Sequence, residues 1–304
     1  MAIIVTGASG QFGRALVEQL LERAPASELI LTTRKPDSLA DFAARGAIVR
    51  HADFDAPETL VPAFAGGDRM MLISTARVGT RVQQHKNAID AAKAAGVGHV
   101  VYTSILGADA PGNPAIVSFD HRATEIHMEQ SGVAWTHLRD SQYAEAVAGV
   151  IAPLAILNRR VPGCAGDGRI AFVARTDCVA CAAAVLTTPG HENKAYDITG
   201  PELWTFPRAI DLIAEMSGTP IRYERVSEEE MFAYFDAMGA PRHASDVVPD
   251  GPIPWSSDDM VSFEIAIRDG YFDVISDHVE KLTGRKPQSL RQVLEDHQPS
   301  WPRP

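Results

Sequence analysis

The chain has 304 residues, 45% of them hydrophobic, and a formal net charge of −11. That acidic balance, with Lys and Arg scattered and no basic stripe, argues against nucleic acid as a partner. No apolar run approaches the ~18 residues of a membrane span, no basic leader precedes the first strand, and three cysteines do not make a disulfide framework, so a cytoplasmic protein is expected. The length suits one large α/β domain plus a smaller one, at roughly 100–200 residues per domain.

Ile3–Val5 is a β-branched run that reads as a buried strand and breaks at Gly7. Gly7, Gly10 and Gly13 then lead into Arg14–Glu22, whose apolar spacing is helical. Between a strand and a helix, such glycines provide a tight turn, a close approach of backbone to a pyrophosphate, and a close helix–strand contact. The helix N-terminus adds free N–H groups and a partial positive charge. The spacing is GxxGxxG, with Thr6, Ser9, Gln11 and Phe12 around the glycines, and it predicts nucleotide binding.

Glu28–Thr33 is the second strand, ending in Arg34-Lys35. NAD-selective folds carry an acidic residue at this place for the ribose hydroxyls. Two cations suit a 2′-phosphate instead, Arg34 through its planar fork and Lys35 as a point charge, so NADP(H) is expected over NAD(H). The alternative is a pair of solvated surface cations. Ala47–Asp53 is a third strand closing on Asp53-Phe54. Acidic residues there either accept from an adenine amino group or cap the helix beginning near Pro57, and capping is the favoured reading.

Arg69–Thr75 forms a fourth strand with Ser74 and Thr75 at its C-terminal end, where open α/β sheets bind ligands. An amphipathic helix over Gln83–Ala95 follows, then a fifth strand over His99–Ile105 carrying Thr103-Ser104. A helix starting near Ser118 or Asp120 runs to Ser131, and Val133–Arg139 is a sixth strand followed by Asp140 to Tyr143. Strands alternating with helices indicate a doubly wound parallel sheet of Rossmann type.

Beyond Tyr143 the alternation weakens. Gly163–Gly168 is turn-like, Arg175–Leu186 a buried helix, Ala195–Thr199 a strand, and Thr205–Ser217 and Ser227–Met238 are helices of a smaller mixed region. Gly239–Asp259 reads as a long loop or lid carrying Trp255, and Ser300–Pro304 as a loose tail. The expected division is an NADP(H)-binding Rossmann domain over 1–150, with 170–200 packing back onto it, and a smaller α/β substrate domain over 151–304.

Thr6–Gly13, the Arg34 strand end, Leu72–Thr75 through Gln84-His85, Ala91–Gly96, Tyr102–Ser104, His121-x-x-x-Glu125, Ala165–Gly168 and Leu282-Thr-Gly carry a resemblance that runs almost end to end. The chain resembles the NmrA-like branch of the atypical short-chain dehydrogenase/reductases, near the NADPH-dependent quinone oxidoreductases and triphenylmethane reductases. The resemblance implies a substrate cleft between the two domains and direct hydride transfer from NADPH to a small aromatic or quinone-like substrate, without flavin. It also implies that Gly7, Gly10, Gln11, Phe12 and Arg34 take cofactor phosphate and ribose positions, while Ser74, Thr75, Thr103 and Ser104 flank the ribose and nicotinamide.

One departure matters. In the relatives the sixth strand ends Arg-Asn, whereas here it is Arg139-Asp140. An Asn amide donates where an ionised Asp only accepts, so a different substrate preference is expected. The Tyr-x-x-x-Lys pattern of ordinary short-chain dehydrogenases is missing, since Leu106 follows Tyr102 at the fourth position. Reductases of the isoflavone type use a Lys where His121 stands. His121 is therefore a candidate to donate a proton or polarise a carbonyl, or else to bind the ribose. Tyr143 offers a phenol donor, an aromatic face or simple pocket wall, and Asp140 completes the catalytic candidates. Cys178 and Cys181 have redox spacing but read as packing on an Ala-rich helix. No HExxH occurs and no metal is expected. The chain is expected to act as a monomer or homodimer. The alternatives are a non-catalytic NADP(H)-sensing regulator, or a reductase of lignan-like phenolic substrates.

Overall fold

The computed structural model describes residues 1–245 and 255–303. Its strands are β1 (Ile3–Val5), β2 (Leu29–Thr33), β3 (Ile48–His51), β4 (Arg69–Leu72), β5 (His99–Ile105), β6 (Ala134–Asp140), β7 (Arg160–Gly163), β8 (Lys194–Ile198) and β9 (Arg222–Arg225). Seven of them make one parallel sheet in the order β3-β2-β1-β4-β5-β6-β8, and β7 pairs with β9 in a small second sheet. The side chains of β1 and β2 are buried throughout, as expected for a parallel sheet covered by helices on both faces.

One face packs under helices Gln11–Leu21 and Arg175–Thr187, with Leu16, Val17 and Leu20 against Val5, Leu31, Cys178 and Val185. On the other, helices Val82–Ala94 and Ile116–Ser131 bring Ile89 and Met128 to Ile4, Met70 and Tyr102. A third core grows from the chain leaving β5 and β6 (Leu106, Ala144) and closes on Phe172, Trp204, Phe206, Phe272 and Trp301. Successive strands step outward from β1 through β2 to β3, and in the opposite direction from β4 through β5 to β6. That reversal opens a crevice at the C-terminal ends of β1 and β4. Among the described residues no helix is long and apolar enough to cross a membrane.

Several local expectations need correction. Asp53 does not cap the following helix: its Oδ1 accepts from the Asp55 N–H (3.0 Å) in its own turn, and the short helix Pro57–Thr59 begins at Ala56 without a side-chain cap. The helix expected from Ser118 or Asp120 starts at Ile116, because Ser262 from a distant segment accepts the Ile116 N–H (3.1 Å). Residues 246–254 of the expected Gly239–Asp259 loop lie outside the described residues. Its last residues instead open a helix, Ser257–Arg268, where Ser256 Oγ accepts from the Asp259 N–H.

The tail is anchored: Trp301 is buried in the third core and its indole N–H donates to the Ala148 carbonyl (2.9 Å). Trp301→Ala should destabilise the protein by about 3 kcal/mol through cavity and lost hydrogen bond, measured by urea unfolding. A loss below about 1 kcal/mol would mean the surroundings do not depend on the indole.

Candidate functional site

The glycine loop is shaped by close contact. Gly7 lies at φ +58, in the left-handed region, and a Cβ added at Gly13 would come within 2.4 Å of the Gly7 carbonyl oxygen and 2.7 Å of the Ala8 Cα. Only glycine lets the helix Gln11–Leu21 lie this near the turn. Gly10 begins that helix with no side-chain acceptor on its first-turn N–H groups, which leaves them for an anion. Thr6 Oγ1 donates to the Met71 carbonyl (3.0 Å) and accepts from the Ile73 N–H (3.0 Å), tying the exit of β1 to that of β4. The Ser9 and Thr33 hydroxyls are 3.0 Å apart, Gln11 Oε1 accepts from Arg175 (2.7 Å), and the Phe12 ring is in the core.

Arg34 and Lys35 are exposed just past β2, and their side chains make no hydrogen bond or ion pair among the described residues. Asp53 and Phe54 follow β3, with the Phe54 carbonyl accepting from Asn87 (2.9 Å). Past β4, Thr103 Oγ1 accepts from the Ser74 N–H (2.8 Å) and donates to Ser74 Oγ (3.2 Å). Thr75 is held through its N–H on His85 Nε2 (3.1 Å) and its hydroxyl on Gln84 (2.7 Å). Ser104 donates to Glu125 (2.8 Å), a fully buried carboxylate gripped by Arg139 at 2.9 Å on both oxygens.

His121 belongs to a buried network whose proton positions can be deduced. Arg81 can only donate, so His121 Nε2 (2.8 Å away) accepts, and the Nδ1–H donates to Tyr102 Oη (2.8 Å). By the same logic the Thr75 N–H on His85 Nε2 places the His85 proton on Nδ1, facing Thr124 Oγ1 at 2.9 Å. Burial, with the Arg81 charge adding to it, holds both imidazoles well below their usual pKa, so both are neutral near pH 7. With both ring nitrogens engaged, His121 holds Arg81 at the site wall. Arg81 also pairs with Asp120 (3.2 Å) and donates to the Thr75 carbonyl (2.7 Å).

Arg81 was not among the expected site residues, although a signal existed: it is the residue at which the helix Val82–Ala94 begins, where the dipole disfavours a cation. Asp259 and Glu264 were missed as well, since nothing in the sequence marks them.

These elements border a cavity of about 440 Å³. Ser74, Arg81, Thr103, Ser104, His121 and Asp140 line one end, whereas Ile151, Leu154, Phe206, Phe235, Trp255 and Phe263 are among the apolar walls of the remainder. Tyr143, also in the lining, donates its hydroxyl to Asp140 Oδ2 (2.9 Å). Burial pushes the Asp140 carboxyl up to about 7, against the smaller opposing effects of Tyr143 and Cys178. Asp259, another lining residue, is pushed up to about 6 by burial.

Cys178 and Cys181 are buried and their thiols pushed far up by desolvation, as packing residues are. Glu125, Glu129 and His137 bring ligand-type atoms within 4.8 Å of one another. The Glu125 and Glu129 carboxylates are already compensated by Arg122 and Arg139, so this is an ion-pair cluster in its chemistry.

A family model described as NAD(P)H-binding matches residues 7–154. The chain is 37% identical over 292 residues to quinone oxidoreductase 2 of Escherichia coli K12, covering 96% of this chain and 97% of that protein. The solved structure of the NADPH-dependent quinone oxidoreductase from Escherichia coli in complex with NADPH superposes with a TM-score of 0.87 at 34% identity, covering 97% and 99% of the two chains. The Citrobacter triphenylmethane reductase complexed with NADP(H) gives a TM-score of 0.84 at 30% identity, covering 97% and 100%. A strand–glycine turn–helix at the sheet's switch point and end-to-end similarity to these reductases lead to one conclusion: the chain belongs to the NmrA-like family of NAD(P)H-binding oxidoreductases.

Proposed function

We propose that the chain is an NADPH-dependent reductase that passes hydride directly to a quinone or a similarly conjugated aromatic electrophile, using neither flavin nor metal. The observation that carries this reading is the position of the cavity. It begins at the C-terminal ends of β5 and β6 and the chain leaving β4, and continues between apolar and aromatic walls suited to a planar substrate.

The cradle that a Cβ at Gly13 would fill fits a dinucleotide pyrophosphate, which Gly7, Gly10 and the first-turn N–H groups of Gln11, Phe12 and Gly13 would hold, with Thr6 and Ser9 shaping the loop. Arg34, exposed and uncommitted, with Lys35 beside it, would take the 2′-phosphate and so favour NADP(H) over NAD(H). Asp53 and Phe54 would border the adenine, and Ser74, Thr75, Thr103 and Ser104 the ribose and nicotinamide. Bound NADPH would supply the hydride with its electron pair. The chain orients both partners and excludes water. Residues 1–150 with 170–200 form the cofactor half in this proposal, and the rest of 151–304 the substrate half. His121 acts here as a positioning residue, through Arg81.

The direct test is loss of reduced-nicotinamide absorbance with a simple benzoquinone. Oxidation is expected with NADPH and much less with NADH. Tight binding without oxidation, across quinones and dyes alike, would turn the reading to an NADP(H) sensor. For Arg34→Ala, KM for NADPH should rise at least about tenfold with little change for NADH, the loss of one charge-assisted phosphate contact. Equal losses for both nucleotides would refute the phosphate assignment. Gly13→Ala should lose binding of both nucleotides in a calorimetric titration while keeping its far-UV circular dichroism, and an unchanged Kd would mean that the turn has room.

A further inference from the structure

Gln11 is the first residue of the helix Gln11–Leu21, and Arg175 the first of the helix Arg175–Thr187. The two helices share one core, and their first residues meet. Arg175 Nη1 donates to Gln11 Oε1 at 2.7 Å, across 164 residues of chain. The guanidinium also lies over the Tyr143 ring, its carbon 5.4 Å from the ring centroid. Gln11 and Tyr143 thus bracket a half-buried Arg175 beside the glycine turn.

In the protein alone this is a poor place for a cation. A helix N-terminus carries partial positive charge, which repels a guanidinium unless an anion joins them. Among the described residues no carboxylate pairs with the Arg175 guanidinium, and its Nε and Nη2 make no hydrogen bond. Glu145 is committed to the backbone: both its oxygens accept the Arg175 N–H at 3.0 Å, which caps the helix Arg175–Thr187. The helix Gln11–Leu21 has no such cap. Other cations on these two helices and around them are neutralised, Arg14 by Asp41 and Arg285 by Asp177. An unpaired cation, uncapped N–H groups and the cradle at Gly13 therefore converge on one spot. An anion with several oxygens would satisfy all three.

Resting on the cofactor site of the reductase reading, we infer that Arg175 is a pyrophosphate-binding residue, a cation that the far half of the chain brings to the glycine turn. The turn offers only backbone N–H groups. Arg175 adds a full charge and the planar donors that a diphosphate takes, and its remaining donors have no protein partner. The diphosphate bridge is common to NADPH and NADH, so Arg175 serves both, whereas Arg34 separates them. Stacked on Tyr143, the same guanidinium also links the phosphate end of the cofactor site to a wall of the substrate cavity.

Calorimetric titration of the full chain with NADPH and with NADH tests this. Arg175→Gln should raise both Kd values by the same factor, at least about tenfold, the loss of one charge-assisted contact. The ratio of the two should stay within about twofold of the wild-type ratio, in contrast to Arg34→Ala. Arg175→Lys should bind both nucleotides more tightly than Arg175→Gln, and Arg175→Glu more weakly, in the order of the charge. A change below about twofold in Arg175→Gln would make Arg175 a solvated surface cation and overturn the assignment. A loss confined to NADPH, or equal losses in all three variants, would overturn it as well.

The wild type supplies an independent readout. Phenylglyoxal, an arginine reagent, should modify Arg175 in the free protein, followed by mass spectrometry of its peptide, and saturating NADPH or NADH should protect it. Resistance in the free protein, or modification that neither nucleotide slows, would count against the role and sink it. Binding of neither nucleotide to the wild type would overturn the reductase reading and this inference together. Binding without oxidation of NADPH by any acceptor would overturn the reductase reading alone, with the Arg175 titrations unaffected.

Discussion

The approach of the helix Gln11–Leu21 to the turn after β1 sets the geometry on which the site depends. With 2.4 Å between an imagined Gly13 Cβ and the Gly7 carbonyl oxygen, the helix can lie there only because no side chain intervenes. That contact aims the helix N-terminus into the crevice between β1 and β4, where the strand order reverses. Thr6 reinforces the arrangement by bonding across to Met71 and Ile73, which ties the glycine turn to the chain that leaves β4. The chain leaving β4 carries Ser74, which lines the cavity.

Charge is managed in two opposite ways on one strand. Arg139 and Asp140 are neighbours on β6, and the pleat turns them to opposite faces. Arg139 finds Glu125, whose carboxylate also takes hydrogen bonds from Ser104 and Arg122. Removing one partner from such a buried pair costs about 3–5 kcal/mol, because the other charge is then left uncompensated. Asp140 has no counterion, and burial raises its proton affinity against the smaller opposing hydrogen bonds of Tyr143 and Cys178. A satisfied buried ion fixes structure. A buried carboxyl without a counterion has its pKa pushed up, here to about 7.

The imidazoles follow from the same principle. Burial holds His85 and His121 neutral, the Arg81 charge adds to that effect, and each ring accepts at Nε2. Through His121 and Asp120 the helix Ile116–Ser131 grips Arg81, and Arg81 grips the Thr75 carbonyl. The loop after β4 is thereby held by side chains from two helices that the chain reaches later.

What the sequence alone determined is what short stretches decide by themselves. The β-branched run at Ile3–Val5, the glycine spacing after it and the alternation through β6 are local signals, and they made the parallel sheet and its strand–turn–helix start legible. Helices capped by their own residues, at Thr205 and Ser227, were placed within a residue or so for the same reason. Tertiary structure alone decided the rest. The start at Ile116 depends on Ser262, and burial of Trp301 depends on a core assembled around Ala148 and Phe272. Pairing of β7 with β9 joins two four-residue segments far apart in the chain. Arg81, Asp259 and the raised pKa of Asp140 acquire their chemistry from surroundings supplied by distant segments. Hydrophobic period and turn chemistry are written within a few residues, whereas burial and charge compensation are set by whatever the fold brings alongside.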